Sequence, residues 1–546
     1  MLDKHQQNLI NNSATQNGLL KTASPRFIWM IVLSAIFVTF FVWLLLVNCS
    51  SFYLTPRSDT WDYAQLGRNI SQGNFFISNF TYPIMLSKNP NPPFYTFWRL
   101  PVYPLVCSVP FLLFDSPSIQ YFIIMSGIFF ALGTGIYVLF LRRFLGTKPI
   151  LVAVLFFITS PQLISPSLEG LSESFYTILL LSACGLLFSD SVKTDVISGI
   201  MFGLAWLTRS NTLFLFPALV IWFMIGSGTL RHRILRLLLT FFCIGFIYIP
   251  WGWRNYVLTG NPFFNMSSKL LWMFTKQSQG WTLFRTVPGT EVGNLSLPLS
   301  LLAKKFLYNL WHFAIVQRIL SCNPIIFIMA IVGGVLAWKE RKCYPMFWRV
   351  TLFILVSDVM SITALSFIEP AIRLYVSMLP FVYLLAAKAL DPSGTTFNYY
   401  HRYYPRFFII FFVILGISII SYFVRFVVKL PHKQWAILSS KDIDVLRNKL
   451  PSDGIIISDL PDYLSWTLDR PTLFLPTMKS YPDLERLGSN ITVLHLSPEL
   501  ADFIKGEGID EAIWLKVPKE YSPPELGSLI LETASGHRFY RMSGMK

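Results

Sequence analysis

Charge is scarce in this sequence. Only 14% of its 546 residues are Asp, Glu, Lys or Arg, where a soluble globular chain carries nearer a quarter. Cysteine is scarce as well. The six present (Cys49, Cys107, Cys184, Cys243, Cys322 and Cys343) lie far apart and form no CxxC or Cys/His ligand spacing. Neither a zinc site nor a disulfide framework is indicated, and the thiols read as small core residues. An HExxH pair, a nucleotide-binding glycine motif, a GxSxG elbow, internal repeats and low-complexity tracts are also missing.

What fills the space is apolar. Hydrophobic residues make up 53% of the chain and aromatics 16%. Apolar runs near or at bilayer-spanning length recur from about residue 27 to about residue 428. Among them are Phe27 to Val47, Ile119 to Phe140, Ile150 to Ile164, Leu237 to Ile249, Val350 to Phe367 and Phe407 to Val424. The fold class is a polytopic α-helical membrane protein.

The net charge of +16 does not point to nucleic acid, because its placement follows topology. Arg142, Arg143 and Lys148 cluster in one short loop; Arg231, Arg233 and Arg236 in another; Lys339, Arg341 and Lys342 in a third. Such clusters mark cytoplasmic loops. A count from a cytoplasmic leader (residues 1–26) gives about eleven transmembrane helices and leaves the C-terminus outside. The first apolar run is a retained span, since NCSSFY from Asn48 is a poor cleavage site. Pro101 to Phe114, short and broken by prolines, reads as a helix dipping at the membrane surface. The localisation expected is the plasma (inner) membrane.

The membrane domain spans 27–430, with outer loops at 49–100 and 253–320. Beyond it the composition changes. Lys441 to Lys449 reads as an amphipathic helix. DGIIISD from Asp453, TLFLP from Thr472, ITVLHL from Ile491 and AIWLKV from Ala512 read as strands. Residues 431–546 are therefore expected to form a small extracytoplasmic α/β domain.

The first outer loop holds RSDTWDYAQLGRNISQG from Arg57 and closes with WRLPVYP from Trp98. Asp59 opens a helix to Ile70. It either caps that helix, with Asp62 complementing the dipole, or carries chemistry. Arg99 either grips a phosphate or snorkels at the interface. Arg209 faces a polar cavity or makes an outer turn. Arg373 answers an anion, for which the neighbouring Glu369 would serve. Glu169 and Glu173, four apart, would share a helix face; they bind a metal or sugar hydroxyls, or end a span in water. His312 reads as an interfacial histidine.

In chain order these elements resemble a family. An outer-loop Asp is followed by Tyr and Ala (Asp59, Tyr63, Ala64). A basic-x-Pro-x-Tyr-Pro element runs from Arg99 to Pro104 and includes Tyr103. LTR (Leu207 to Arg209), PWxxRN (Pro250 to Asn255) and RxYxxxLP (Arg373 to Pro380, with Tyr375) follow. The set is similar to the GT-C membrane glycosyltransferases, in particular glycosyltransferase family 39. That family includes protein O-mannosyltransferases and the aminoarabinose transferases of lipid A.

The resemblance covers about residues 27–430 and implies inverting transfer of a sugar from a polyprenyl-phosphate donor. The acceptor, whether protein, lipid A or polysaccharide, lies on the outer face. It implies Asp59 as the catalytic base, with Asp62, Tyr63, Arg99, Tyr103, Glu173, Arg209, Arg373 and Tyr375 around the substrates. Many members follow the Asp with Glu, whereas Thr60 stands here, so Asp62 either substitutes for that acid or does not. No cofactor is required by any ligand set in the sequence, although a divalent metal is compatible with the family. Membrane lipids are partners; nucleic acid is not. The competing classes are a lipid or solute transporter, which should place polar groups at the midplane or show repeated halves, and a non-catalytic membrane scaffold.

Overall fold

The computed structural model describes residues 25–50, 58–115, 118–273, 280, 282–287, 299–312, 316, 322–368, 372–391, 405–430, 437–451, 454–487, 490–504, 514–517 and 526–542. Helix α1 (Pro25–Asn48) is apolar on every side, and its 24 residues reach about 36 Å, enough to cross a hydrocarbon core. Helix α2 (Ser58–Ser71) lies in the loop after α1, followed by two short helices, α3 (Val102–Cys107) and α4 (Val109–Leu113).

Helices α5 (Ile119–Leu141), α6 (Thr147–Ile158), α7 (Pro161–Leu168), α8 (Glu173–Leu187), α9 (Val192–Trp206) and α10 (Phe216–Met224) come next. Then follow α11 (Leu230–Thr259), α12 (Leu299–Trp311), α13 (Pro324–Lys339), α14 (Pro345–Phe367), α15 (Leu379–Lys388) and α16 (Pro405–Val428). Among the described residues, α1, α5, α11 and α14 are each long and apolar enough to cross a membrane, and α6 with α7, bent by 49°, makes a fifth. With α8, α9, α10, α13, α15 and α16 these helices stand where eleven crossings are expected. Close approach is built into the sequence: a Cβ on Gly127 of α5 would overlap the Trp43 indole of α1, so only glycine lets the two helices pack there.

Charged side chains gather at two ends of this bundle. At one end Arg236 holds Asp190 and Asp195, and Arg349 holds Asp190. The other end carries Asp59, Arg99, Glu173, Arg209 and Arg373. Asp195 and Arg236 are buried, so removing Arg236 would strand the Asp195 charge at a cost of about 3–5 kcal/mol.

The extramembrane part has α17 (Ser440–Lys449), α18 (Pro461–Leu468) and α19 (Leu500–Ile504) around a six-stranded sheet. Strands β1 (Ile77–Ser78), β2 (Phe80–Thr81) and β3 (Phe94–Tyr95) come from the first loop. The rest are β4 (Ile455–Ser458), β5 (Thr472–Phe474), β6 (Ile491–Leu496), β7 (Leu526–Glu532) and β8 (Arg538–Met542). The sheet order is β2-β5-β4-β6-β8-β7. Strands β2, β5, β4 and β6 run parallel, while β8 and β7 are antiparallel. Ile455, Ile456 and Ile457 are all buried, as a parallel strand covered on both faces requires.

Four sequence expectations change here. The sheet is not confined to residues after 431, because its edge strand β2 pairs Phe80 with Thr472 and its core takes in Leu86, Phe94 and Val287. Trp514–Lys516, expected as strand, is one helical turn; Trp514 is buried edge-on against Tyr481, and that packing overrides strand propensity. The second outer loop starts later than 253, since α11 continues through Pro250 to Thr259 and ends on Gly260 at φ +76°. Glu169 and Glu173 do not share a helix face: Glu169 follows the end of α7, Gly170 turns at φ +76°, and Glu173 opens α8.

Candidate active site

Helix α2 begins at Ser58, which puts Asp59 inside its first turn rather than at its cap. Asp59, Asp62 and Tyr63 stand three and four apart and share a face. The helix is seated tightly: a Cβ on Gly67 would overlap the Cys107 backbone of α3. Arg68 at its far end donates to the carbonyls of Trp466 (2.9 Å) and Ser465 (3.0 Å) in α18.

Both carboxylate oxygens of Asp59 face arginine. Arg99 Nη2 donates to Oδ1 at 2.6 Å and Arg373 Nη1 to Oδ2 at 2.9 Å. Arg99 also donates through Nε to Asp62, and its guanidinium lies 4.7 Å from the Tyr63 ring centre. Gln65 donates to the other oxygen of Asp62 at 3.1 Å. Arg99 is 9% exposed and Arg373 37%. Two acids and two guanidiniums thus cancel, which lets these charges leave water. Burial pushes the Asp59 carboxyl up, but Arg99 and Arg373 outweigh it and hold the group well below the usual carboxylate range. For Asp62 burial wins, and its pKa is raised.

Behind this cluster runs a second set of bonds. The Tyr63 hydroxyl lies 3.2 Å from Ser172 Oγ. Arg209 donates to the same oxygen at 3.1 Å and pairs with Glu173 at 2.8 Å. Tyr103, fully buried, packs edge-on against Tyr63 and donates to the Gly170 carbonyl at 2.9 Å. Thr60 is buried and donates to the Glu169 carbonyl, so position 60 points away from Asp59. The Glu169 carboxylate accepts from Ser165 at 2.6 Å.

Asp59, Tyr63, Trp98, Arg99, Arg209 and Arg373 line one cavity of about 110 Å³. Asp62, Tyr103, Glu173 and Tyr375 do not line it. The first three sit behind it. Tyr375 is turned away, buried, with its hydroxyl donating to Asp358 of α14. The anion that Arg373 answers is Asp59; Glu369 lies outside the described residues. His312, just past the end of α12, stacks on Tyr308 with ring centres 6.0 Å apart.

Sequence reasoning missed Asn211 and Asn265, which also line the cavity. Asn211 holds the Arg373 turn by donating to the Leu374 carbonyl at 2.8 Å. It follows the LTR element by two residues, and nothing in that spacing signals a contact 163 residues away. Among the described residues no three or more His, Cys, Asp or Glu gather as metal ligands. The two acids of this site are directed at guanidiniums instead, a donor set that does not fit a cation.

A family model described as dolichyl-phosphate-mannose-protein mannosyltransferase matches residues 89–253. That segment contains Arg99, Tyr103, Glu173 and Arg209. Among solved structures, the chain is similar to the oligosaccharyltransferase AglB of Archaeoglobus fulgidus, in complex with an inhibitory peptide and a dolichol-phosphate. The two share 14% identity over 94% of this chain and 74% of that one, at a TM-score of 0.58. It is also similar to ArnT of Cupriavidus metallidurans bound to undecaprenyl phosphate, with 14% identity over 95% of this chain and 98% of that one, at a TM-score of 0.54. No curated protein sequence matches. The multi-pass helical bundle with its α/β part shares the fold of these two membrane proteins.

Proposed function

We propose that the protein transfers a sugar from a polyprenyl-phosphate donor to an acceptor hydroxyl on the extracytoplasmic face, with inversion at the anomeric carbon. The observation that carries this reading is Asp59, with a guanidinium on each oxygen, at the wall of a polar cavity. The acceptor oxygen attacks the anomeric carbon as the bond from that carbon to the phosphate oxygen breaks. The acceptor proton passes to Asp59, and the electron pair leaves with the polyprenyl phosphate. One carboxylate suffices because a phosphate leaving group needs little protonation, unlike the alkoxide of a glycosidase.

Asp59 in its resting pairs is a poor base, since its pKa is depressed. The donor phosphate resolves this. It competes for Arg99 and Arg373, draws them off Asp59 and leaves the carboxylate more basic when the acceptor arrives. The same two arginines then offset charge growing on the departing phosphate. Arg209, paired with Glu173, closes the far wall. The prenyl chain lies in the apolar groove between spans. The basic loops support a topology with the N-terminus inside and the C-terminal part outside, in the plasma (inner) membrane.

The reading is tested by reconstituting the protein in liposomes with a polyprenyl-phosphate sugar, and by mass spectrometry of cell-surface glycans with and without the gene. Donor-dependent loss of one surface sugar supports it; glycans identical in both strains overturn it.

A further inference from the structure

Helix α2 separates two cavities. Asp59 and Tyr63 face the one described above, while Trp61, Arg68, Ser71 and Gln72 face another of about 660 Å³. The second is the larger, and its size lies within the range of small-molecule sites. It is bounded by α2, the end of α4, the start of α5, and α17 and α18 of the outer part.

Its lining has a definite chemistry. Trp61, Phe111, Tyr463 and Trp466 supply aromatic surface, with Trp61 edge-on to Tyr463 at 5.3 Å and Phe111 edge-on to Trp466 at 6.1 Å. Gln72 and Gln120 supply side-chain amides, each both donor and acceptor. The site is not built for an anion. Arg68 pairs with Asp469 at 2.7 Å and stacks over Trp466 at 5.0 Å, and the remaining charge on the lining is the acid Asp115. It is not built for an acyl chain either, because amides, hydroxyls and charges interrupt the apolar wall.

We propose that this cavity binds a neutral oligosaccharide. The polarised C–H faces of sugar rings are attracted to the electron-rich faces of Trp and Tyr. Sugar hydroxyls donate and accept at once, matching the glutamines and Thr467. The choice of a saccharide over other neutral polar ligands rests on the sugar-transfer reading. The position suits distal sugars of an acceptor or product glycan, held on the opposite face of α2 from the reacting hydroxyl.

The test uses the full chain in lipid nanodiscs, with maltotriose, mannotriose and N-acetylchitotriose as probes. Binding is followed by saturation-transfer NMR and by tryptophan fluorescence. Saturable binding of at least one trisaccharide is expected, weakened about tenfold in Trp466→Leu. The Gln72→Ala/Gln120→Ala double variant, at less packed positions, should weaken it by a similar factor and retain the wild-type unfolding midpoint. Asp59→Asn should bind the trisaccharide like wild type. The wild-type protein separates the two readings: saccharide binding there without donor-dependent transfer sinks the transfer proposal alone. No saturable signal up to about 10 mM, undiminished binding in both cavity variants, or displacement of the sugars by phospholipid headgroups overturns the saccharide site.

Discussion

Asp59→Asn separates base catalysis from structural support. The amide keeps the shape of the side chain but takes no proton at neutral pH. A lost general base costs about 10²–10⁴ in turnover. Stability should move far less. Arg99 keeps Asp62 as partner, and Arg373, at 37% exposure, is partly solvated, so its pair is worth only about 0–1 kcal/mol. A total loss of about 1–2 kcal/mol is expected, since Asn Oδ1 still accepts from one arginine.

Donor affinity should move the other way. In wild type the phosphate must take Arg99 and Arg373 from a carboxylate bonded at 2.6 and 2.9 Å. Against an amide that competition falls by roughly 1–2 kcal/mol, or about 5–30-fold in affinity. Binding of undecaprenyl phosphate to protein in nanodiscs, beside turnover in liposomes, reads both quantities. Weaker phosphate binding in Asp59→Asn would refute the competition argument, and undiminished turnover would remove Asp59 as base.

Arg99→Lys keeps charge but loses the fork that reaches Asp59, Asp62 and the Tyr63 ring together; turnover should fall at least tenfold (about 1.4 kcal/mol), and equal kinetics would leave Arg99 a surface anchor. Arg373→Lys should fall less, since Arg373 is 37% exposed where Arg99 is 9% exposed; a raised donor requirement in both variants is the signature of a shared clamp. Asp62→Asn should cost less activity than Asp59→Asn, because Asp62 acts only through Arg99. Reporter fusions after Lys342 and after Met545 should report opposite sides of the membrane; the same side for both would break the crossing count. Burial pushes Asp459, bonded to Ser497, up to about 6. A raised acid pKa stabilises the protonated fold, so this group's contribution declines as pH rises from about 4 to 7, by about 2–3 kcal/mol. Asp459→Asn should flatten thermal stability over that window, and an unchanged slope would mean Asp459 titrates normally.

Much of the membrane part was legible because hydropathy and basic clusters are local signals. Runs such as Ile119 to Phe140 reappear within one residue as α5. The site was legible in part for a different reason: charges are so rare in the chain that each outer one needed a partner, and Asp59, Arg99 and Arg373 found one another. What the sequence hid is non-local. That Asp62 serves Arg99, that Tyr375 turns to Asp358, and that β2 crosses to pair with Thr472 depend on contacts between segments tens to hundreds of residues apart. The β7–β8 hairpin was missed because Thr533–Gly536 gives a weak turn signal and β7 is half-buried to exposed along its length. Pattern at the level of single elements carries none of this.

Thr60 shows why the departure from the usual Asp-Glu pair leaves the cluster intact. An acid at position 60 would sit beside the Glu169 carbonyl, in a place with no exposure, and would bury an unpaired charge. Threonine donates there instead and ties α2 to the α7–α8 turn, from which Glu173 reaches Arg209. Asp62 is bonded to Arg99 and Gln65 and does not line the cavity. The helix is fixed at both ends, by Thr60 on the bundle and by Arg68 on α18, while β2, from the same loop, is fixed in the sheet. The outer α/β part therefore frames the site: a cut at residue 430 would remove the partners of Arg68 and β2 together, and with them the orientation of Asp59.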